Sequence, residues 1–174
     1  MKTLTTLFAT ILFPLCALAQ PNMKASDEHL AAIEKLSFLE GKWEGEGWSQ
    51  MGPQKSFFTI HETGTPKLKG SIFVFEGLGH DKTTKNVIHN AFGIVTYDSQ
   101  TGEYGMTAYR LDGGKVDADF AVMENGNIEW GFEVPQGKIK YIIENLDGKW
   151  HETGFINMGG GREFQFFEMT LTKK

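Results

Sequence analysis

Apolar and polar residues alternate one by one through much of the chain after residue 41. The alternation is cleanest in three successive segments, 116–122, 128–134 and 139–144, where apolar residues recur at every second position and charged residues fill most of the gaps. Neighbouring side chains on a β-strand point to opposite faces, so each segment predicts a strand with one face against a core and one against water.

Turn signals separate these segments at intervals of roughly ten residues. They lie at 51–53, 64–66, 80–82, 98–102, 112–114, 125–126, 135–137, 147–148 and 158–161. Several are Asn-Gly or Asp-Gly pairs, which supply the positive φ angles of tight hairpins. The spacing therefore predicts about ten strands in which consecutive strands are antiparallel neighbours.

Hairpin-linked strands must protect the edges of their sheet, and closure removes those edges altogether. We therefore predict an all-β fold, a closed antiparallel up-and-down β-barrel over residues 41–174, in preference to a two-layer sandwich. Near 57–61, 72–75 and 87–92 both faces carry apolar residues. Such strands are either covered outside, by the N-terminal helix or by a second copy in a homodimer, or they turn polar side chains into a lined cavity.

The stretch GKWEGEGW, residues 41–48, opens the first predicted strand. Trp43 shares one face with two glycines, whereas Trp48 shares the other with Glu44 and Glu46. The carboxylates mark the second face as the wetter one. We therefore expect Trp43 to point inward and plug one end of the barrel, while the glycines allow the bend that closure requires.

Residues 20–40 form an N-terminal segment with one short predicted helix. Ser26 is a suitable N-cap, and apolar residues then recur at helical spacing until Gly41 ends the run. They are Leu30, Ile33, Leu36 and Leu39. This apolar stripe favours a lid or plug on the barrel over a partner-binding face.

Residues 1–19 have the pattern of a secretory signal peptide: Lys2, an apolar run over 7–18 and small residues before Gln20. We predict cleavage after Ala19 and a periplasmic or secreted protein. The apolar run is too short for an ordinary membrane span, and the residues before Cys16 do not suit lipid attachment, so we expect no stable membrane anchor. Cys16 would leave with the peptide, which excludes cysteine chemistry from the mature chain.

The 174-residue chain has a net charge of −5. Nucleic-acid binding requires a basic stripe that displaces counterions from phosphates, so we predict no nucleic-acid partner. The length after residue 40 suits a single domain with a real core.

The motif Gly41-Lys42-Trp43 resembles the start of the first strand in calycin barrels, and its extension to Gly45 and Gly47 is similar to nitrobindins, which are haem-binding barrels of about ten strands. A second resemblance runs from about Leu39 to the C-terminus. The segments LKGSIF at 68–73 and GIVTYD at 93–98 resemble a bacterial family of uncharacterised, often exported, lipocalin-like barrels, the domain of unknown function 1579 type.

These resemblances imply two features beyond the fold. Calycin barrels often stack an arginine of the last strand on the opening tryptophan, which implies a contact of Arg162 with Trp43 worth about 0.5 to 2 kcal/mol. Nitrobindins ligate haem iron through a histidine near the end of the chain. The last predicted strand contains no histidine, so haem would need His61, His89 or Met169 as its ligand. We therefore predict no cofactor and keep haem as an alternative.

No catalytic or metal site is predicted. The five histidines are scattered, without the short spacing of metal sites. His61-Glu62 and His151-Glu152 are adjacent pairs, and adjacent residues on a strand point to opposite faces, so neither pair forms a dyad. No Gly-x-Ser-x-Gly elbow occurs for nucleophilic hydrolysis.

A small-molecule pocket inside the barrel is the leading functional hypothesis. Phe120, Trp130, Phe132 and Tyr141 supply its apolar walls. Arg110 shares a strand face with Tyr104, Met106 and Ala108, and from there it could bind an acidic head group. The alternative for Arg110 is a solvated position on the surface. The aromatic residues could instead fill a solid core.

We therefore predict an exported barrel that binds a small hydrophobic molecule as a carrier or sensor. The alternatives are a haem-binding barrel, an isomerase or cyclase, and an interaction module that uses exposed Trp48, Phe58 or Phe75. A co-purified ligand would favour the carrier, a strongly perturbed histidine or glutamate in a wet pocket the enzyme, and a large outer apolar patch the interaction module.

Overall fold

A computed structural model describes residues 24–159 and 162–174. The predicted signal peptide, 1–19, lies outside the described residues. Helix α1 and a 3-10 turn at Ser37–Leu39 precede ten strands. The elements are α1 Asp27–Glu34, β1 Gly41–Ser49, β2 Ser56–Lys67, β3 Ile72–Asp81, β4 Val87–Asp98, β5 Glu103–Arg110, β6 Lys115–Val122, β7 Ile128–Val134, β8 Gly137–Leu146, β9 Lys149–Asn157 and β10 Glu163–Lys173. Within the described ranges, no helix has the length and apolar character needed to cross a membrane.

The ten strands form a closed barrel in which each strand pairs with its neighbours in the chain. β1 also pairs antiparallel with β10, with Trp43 opposite Lys173 and Ser49 opposite Phe167. No strand edge is left unpaired along this ladder, which is the advantage of closure. The predicted all-β, closed, up-and-down barrel with one short helix before its first strand is confirmed.

One predicted turn was wrong. Residues 64–66 continue β2, and the chain reverses at the following 3-10 turn, Leu68–Gly70. Pro66 is tolerated in the strand because β1 pairs with β2 only as far as Gly64, so the missing proline N–H is not needed on that side. Leu68 and Lys69 make the turn with positive φ angles of 50° and 59°. Such angles are rare for these residue types, so no residue pattern signalled this turn.

Helix α1 covers one end of the barrel, which we call the closed end. The Ser26 side chain accepts a hydrogen bond from the His29 N–H at 3.1 Å, as its N-cap position predicts. The side chain of Ile33, a residue of α1, is buried in the core. The Tyr104 hydroxyl on β5 donates a hydrogen bond to the Ala32 carbonyl of the helix at 2.8 Å. The turns after β1, β3, β5 and β7 surround the opposite end, which we call the open end and at which β9 also ends.

Trp43 lies in the core of the closed end. Its side chain is buried, its indole N–H donates to the Leu39 carbonyl at 3.0 Å, and its ring meets the Trp150 ring edge-on with centroids 6.0 Å apart. The cation near Trp43 is Lys173, with its Nζ 5.5 Å from the ring centroid. Arg162 precedes β10 and is exposed near the open end. Because β10 runs antiparallel to β1, its last residues, and not its first, lie beside Trp43.

The two tryptophans of β1 should differ sharply in their contribution to stability. Trp43→Ala should lower the free energy of unfolding by about 3 to 5 kcal/mol, since it leaves a cavity in the core and removes the donor to Leu39. Trp48→Ala is the matched control on the opposite face, where the ring packs under Lys55, and it should cost about 1 kcal/mol or less. Urea unfolding followed by circular dichroism would measure both; equal losses would contradict the inward placement of Trp43.

Candidate functional site

The barrel interior is filled at the closed end and hollow toward the open end. Tightly buried side chains fill the closed end; the largest include Phe73, Leu36, Leu39, Ile128 and Leu171. Above them lies a cavity of about 310 Å³, at the small end of the range for sites that bind small molecules. Two residues of its wall, Ile88 and His89, are exposed at the start of β4, so the cavity opens at that end.

Aromatic side chains make much of the cavity wall. Phe120, Trp130 and Tyr141 all line it. The Trp130 and Tyr141 rings are stacked with centroids 4.2 Å apart and an interplanar angle of 12°. Phe132 is not a lining residue; its ring stacks on the Trp130 ring with centroids 6.2 Å apart. Phe120, Trp130 and Tyr141 reach the interior because they lie at inward-facing positions of β6, β7 and β8.

Arg110 lies outside the cavity. It ends β5 with an exposed side chain, and its Nη2 donates to Asp112 Oδ2 at 2.8 Å in the following turn. The guanidinium therefore belongs to the surface of the open end, the alternative that the sequence had left for it. No lysine or arginine is among the described residues that line the cavity.

Two glutamates, which the sequence analysis had named only within the rejected pairs His61-Glu62 and His151-Glu152, supply the main polar groups of the cavity. Glu62 on β2 and Glu152 on β9 both line it and are 8% and 5% exposed. Buried carboxyl groups are rare unless they are paired, because burial penalises the charged form. Their presence in an aromatic wall marks the cavity as more than an apolar container.

Glu152 is held by two tryptophans. The Trp130 indole N–H donates to its Oε1 at 3.1 Å and the Trp150 indole N–H donates to its Oε2 at 3.2 Å. Burial raises the pKa of Glu152 to about 7, while the two indole donors oppose that rise by stabilising the carboxylate. The Glu152 carboxyl therefore titrates in the neutral range and not at the acidic pH usual for glutamate.

Glu62 has a different environment. Burial, with a further contribution from the charge of Glu152, raises its pKa to about 8, and no hydrogen bond contributes to the shift. Its carboxyl lies over Gly77 of β3, where the Cβ of any larger residue would come within 2.5 Å of Oε1. A glycine at that position is what gives the carboxyl its space. Glu62 is therefore mostly protonated at neutral pH and has free hydrogen-bonding capacity.

The remaining titratable groups of the cavity are His89 and Tyr141. His89 lies at the opening with its Nε2 4.0 Å from Glu62 Oε1. Partial burial lowers the pKa of His89 below its usual value, so the ring is largely neutral at neutral pH. Burial and the charge of Glu152 raise the pKa of Tyr141, which stays a neutral phenol.

The strand register carried a signal for both glutamates. Glu62 has the same parity as the inward-facing Phe58 and Ile60, and Glu152 the same parity as Trp150. The adjacent histidines point the other way: His61 Nδ1 lies 3.9 Å from Glu44 on the outer face. The adjacent pairs are therefore not dyads. The structure instead places the two glutamates in the wall of one cavity, which no local spacing reveals.

The structure gives the positions of the residues that the sequence offered as ligands. No group of three or more potential metal ligands occurs among residues 24–159 and 162–174. Of the three alternative haem ligands, His61 faces outward, and His89 is half exposed and faces Glu62. Met169 lines the cavity wall.

Comparison with known proteins supports the fold. No protein-family model and no curated protein matches the sequence. The crystal structure of Rv2717c from M. tuberculosis is similar with a TM-score of 0.60 and 12% identity, over 82% of this chain and 97% of that one. The S-type phycobiliprotein lyase CPES from Guillardia theta is similar with a TM-score of 0.61 and 10% identity, over 82% and 92%. At these identities the similarity shows the fold alone, a closed barrel of ten strands.

Glu62 should make the stability of the protein fall as pH rises. Its folded pKa of about 8 exceeds the unfolded value, so the folded state holds the proton more tightly. The contribution is greatest below about pH 4.5 and is lost as pH rises through about 8. Glu62→Gln lacks this dependence, so the variant should gain on the wild type by on the order of 2 kcal/mol between pH 5 and pH 8.

Urea unfolding at pH 5, 6, 7 and 8 would test this expectation. Glu76→Gln is the matched control, because Glu76 lies on the neighbouring strand with its side chain exposed. That variant should track the wild type at every pH. A gap between Glu62→Gln and the wild type that does not change with pH would contradict a raised pKa at Glu62.

Proposed function

We propose that this protein binds a small, largely apolar molecule inside its barrel and acts as a carrier or sensor for it. The observation that carries the proposal is the cavity of about 310 Å³, which has aromatic walls, opens at one end and is sealed at the other by α1 and the packed core. Sites of this shape bury most of a ligand's surface while a few polar groups fix its orientation.

Two further points support this function. One structural neighbour is named as a phycobiliprotein lyase, which is consistent with a barrel of this type handling a small pigment-like molecule. The pattern of residues 1–19 suggests that the protein is exported, so binding would occur in the periplasm or outside the cell.

Leu78 and Phe92 are exposed on the outer faces of β3 and β4, and we propose that a homodimer covers them.

The interaction-module alternative loses support, because two of its three aromatic residues are internal. Phe58 is buried and Phe75 lines the cavity. Only Trp48 remains on the outer face, under Lys55.

A cavity-filling substitution tests the binding function. Ala91 lines the cavity, so the phenylalanine ring of Ala91→Phe should occupy part of it and strongly reduce the fraction of protein that carries a bound molecule. Ala121→Phe adds the same ring at an exposed position on β6 and is the matched control. Native mass spectrometry of protein from its own source should show an added mass in the wild type and the control, and at least about tenfold less in Ala91→Phe.

An absorbance spectrum of the same samples would show whether the added mass is haem. Equal occupancy in all three proteins would contradict binding inside the barrel, and the absence of any added mass from every preparation would count against a resident ligand.

An acid–base enzyme of the isomerase or cyclase type is the second candidate. The raised pKa of Glu62, about 8, favours it, because a group that titrates near neutral pH can both take and give a proton. His89 lies beside Glu62, with its Nε2 4.0 Å from Glu62 Oε1. The co-purified molecule should then acquire deuterium at carbon when the protein is incubated in heavy water. Glu62→Gln should bind the molecule and abolish that incorporation; a wild type without incorporation would argue for the carrier.

A further inference from the structure

The cavity combines two carboxyl groups with one histidine, and no lysine or arginine is among its described lining residues. Glu62, His89, Tyr141 and Glu152 are the titratable residues in its wall, and none of them carries a full positive charge at neutral pH. The remaining lining is mostly aromatic or aliphatic. A ligand is therefore the natural source of the positive charge that both carboxyl groups lack, and of the hydrogen-bond donor that Glu62 lacks.

The two carboxyl groups differ in what they still need. Both oxygens of Glu152 already accept an indole N–H, from Trp130 and Trp150. Glu62 accepts no hydrogen bond from the residues that the structure describes, and its nearest cationic candidate, His89 Nε2, is 4.0 Å away. A carboxyl that faces a cavity without a partner is a binding group for a donor.

The chemistry of the wall discriminates among ligand classes. A hydrocarbon that filled the cavity would displace solvent from the Glu62 carboxyl without supplying a partner, which is unfavourable. An anion would meet the negative charge of Glu152. A cation would neutralise that charge, donate to Glu62 and lie near the aromatic faces of Trp130, Tyr141 and Trp150, which attract positive charge.

We infer that the molecule bound in the barrel carries a basic nitrogen, and that its protonated amine lies between Glu62 and Glu152 while its apolar body lies along the aromatic wall. This inference rests on the proposed binding function and names the class of ligand. The wall thereby selects amphipathic amines over acids, the opposite of what an arginine in the cavity would have selected.

Binding should be linked to a proton. Glu62 holds a proton in the free protein at neutral pH, and the arriving ammonium group favours the ionised carboxylate. The Glu62 O–H bond therefore breaks, its proton passes to the solvent, and the carboxylate keeps the electron pair and accepts N–H donors from the amine. His89 lies at the opening on the path that this proton would take.

Three probes with the same ring system test the inference: 2-naphthylmethylamine, 2-naphthylmethanol and 2-naphthoic acid. Isothermal titration at pH 7.0, in two buffers of different protonation enthalpy, gives both the affinity and the protons released. The amine should bind the wild type at least about tenfold more tightly than the alcohol, the difference expected for charge-assisted hydrogen bonds. The acid should bind most weakly, and only the amine should release protons.

Variants separate the role of Glu62 from folding. Glu62→Gln should bring the affinity for the amine to within about threefold of that for the alcohol, and should lower the proton release to what Glu152 alone supplies. Glu152→Gln should also weaken binding of the amine. Glu76→Gln, exposed on the outer face, should behave as the wild type. Circular dichroism would verify that each variant is folded.

The outcomes distinguish failure of the inferred ligand class from failure of the proposed binding function. If the alcohol or the acid equals the amine in the wild type, and Ala91→Phe weakens that binding, the ligand class is overturned and the binding function stands. An amine affinity that is unchanged in folded Glu62→Gln and Glu152→Gln also overturns the inference. If none of the three probes binds the wild type, both the ligand class and the proposed cavity function are contradicted.

Discussion

The pairing of β1 with β10 is the interaction on which the rest of the structure depends. It closes the ladder, so that every strand has two neighbours and every second side chain must point into a common interior. The interior of a ten-strand barrel is larger than the inward-facing side chains can fill along its whole length. The chain meets this constraint by filling one end and leaving the other hollow.

The two ends divide stability from binding. At the closed end, Trp43, Leu39 and Leu171 pack densely beneath α1, and the indole hydrogen bond to Leu39 ties the helix segment to β1. Toward the open end, small inward residues such as Ala91 and Gly77 leave volume in the wall. A dense base lets the upper wall carry groups that destabilise the fold, because the net stability of a domain depends on the whole core.

Glu62 and Glu152 are groups of that kind. Burial in an aromatic wall raises the pKa of both, but the two indole donors hold Glu152 closer to ionisation than Glu62. Both pKa values are therefore raised toward the neutral range within one cavity. Such perturbed carboxyl groups are typical of functional sites, where groups unfavourable for folding are retained for a chemical purpose.

The sequence by itself determined the barrel: alternation and Asn-Gly or Asp-Gly turns predicted the strands, and the need to protect edges predicted closure. It also placed Phe120, Trp130 and Tyr141 on inward faces, because a period of two is a local property. Only the tertiary structure decided which turn residues could take positive φ, as at Leu68, and that Lys173 lies beside Trp43. It alone brought Glu62 and Glu152, 90 residues apart in the chain, into one cavity, because a contact across a barrel depends on strand order, register and shear, which no local pattern encodes.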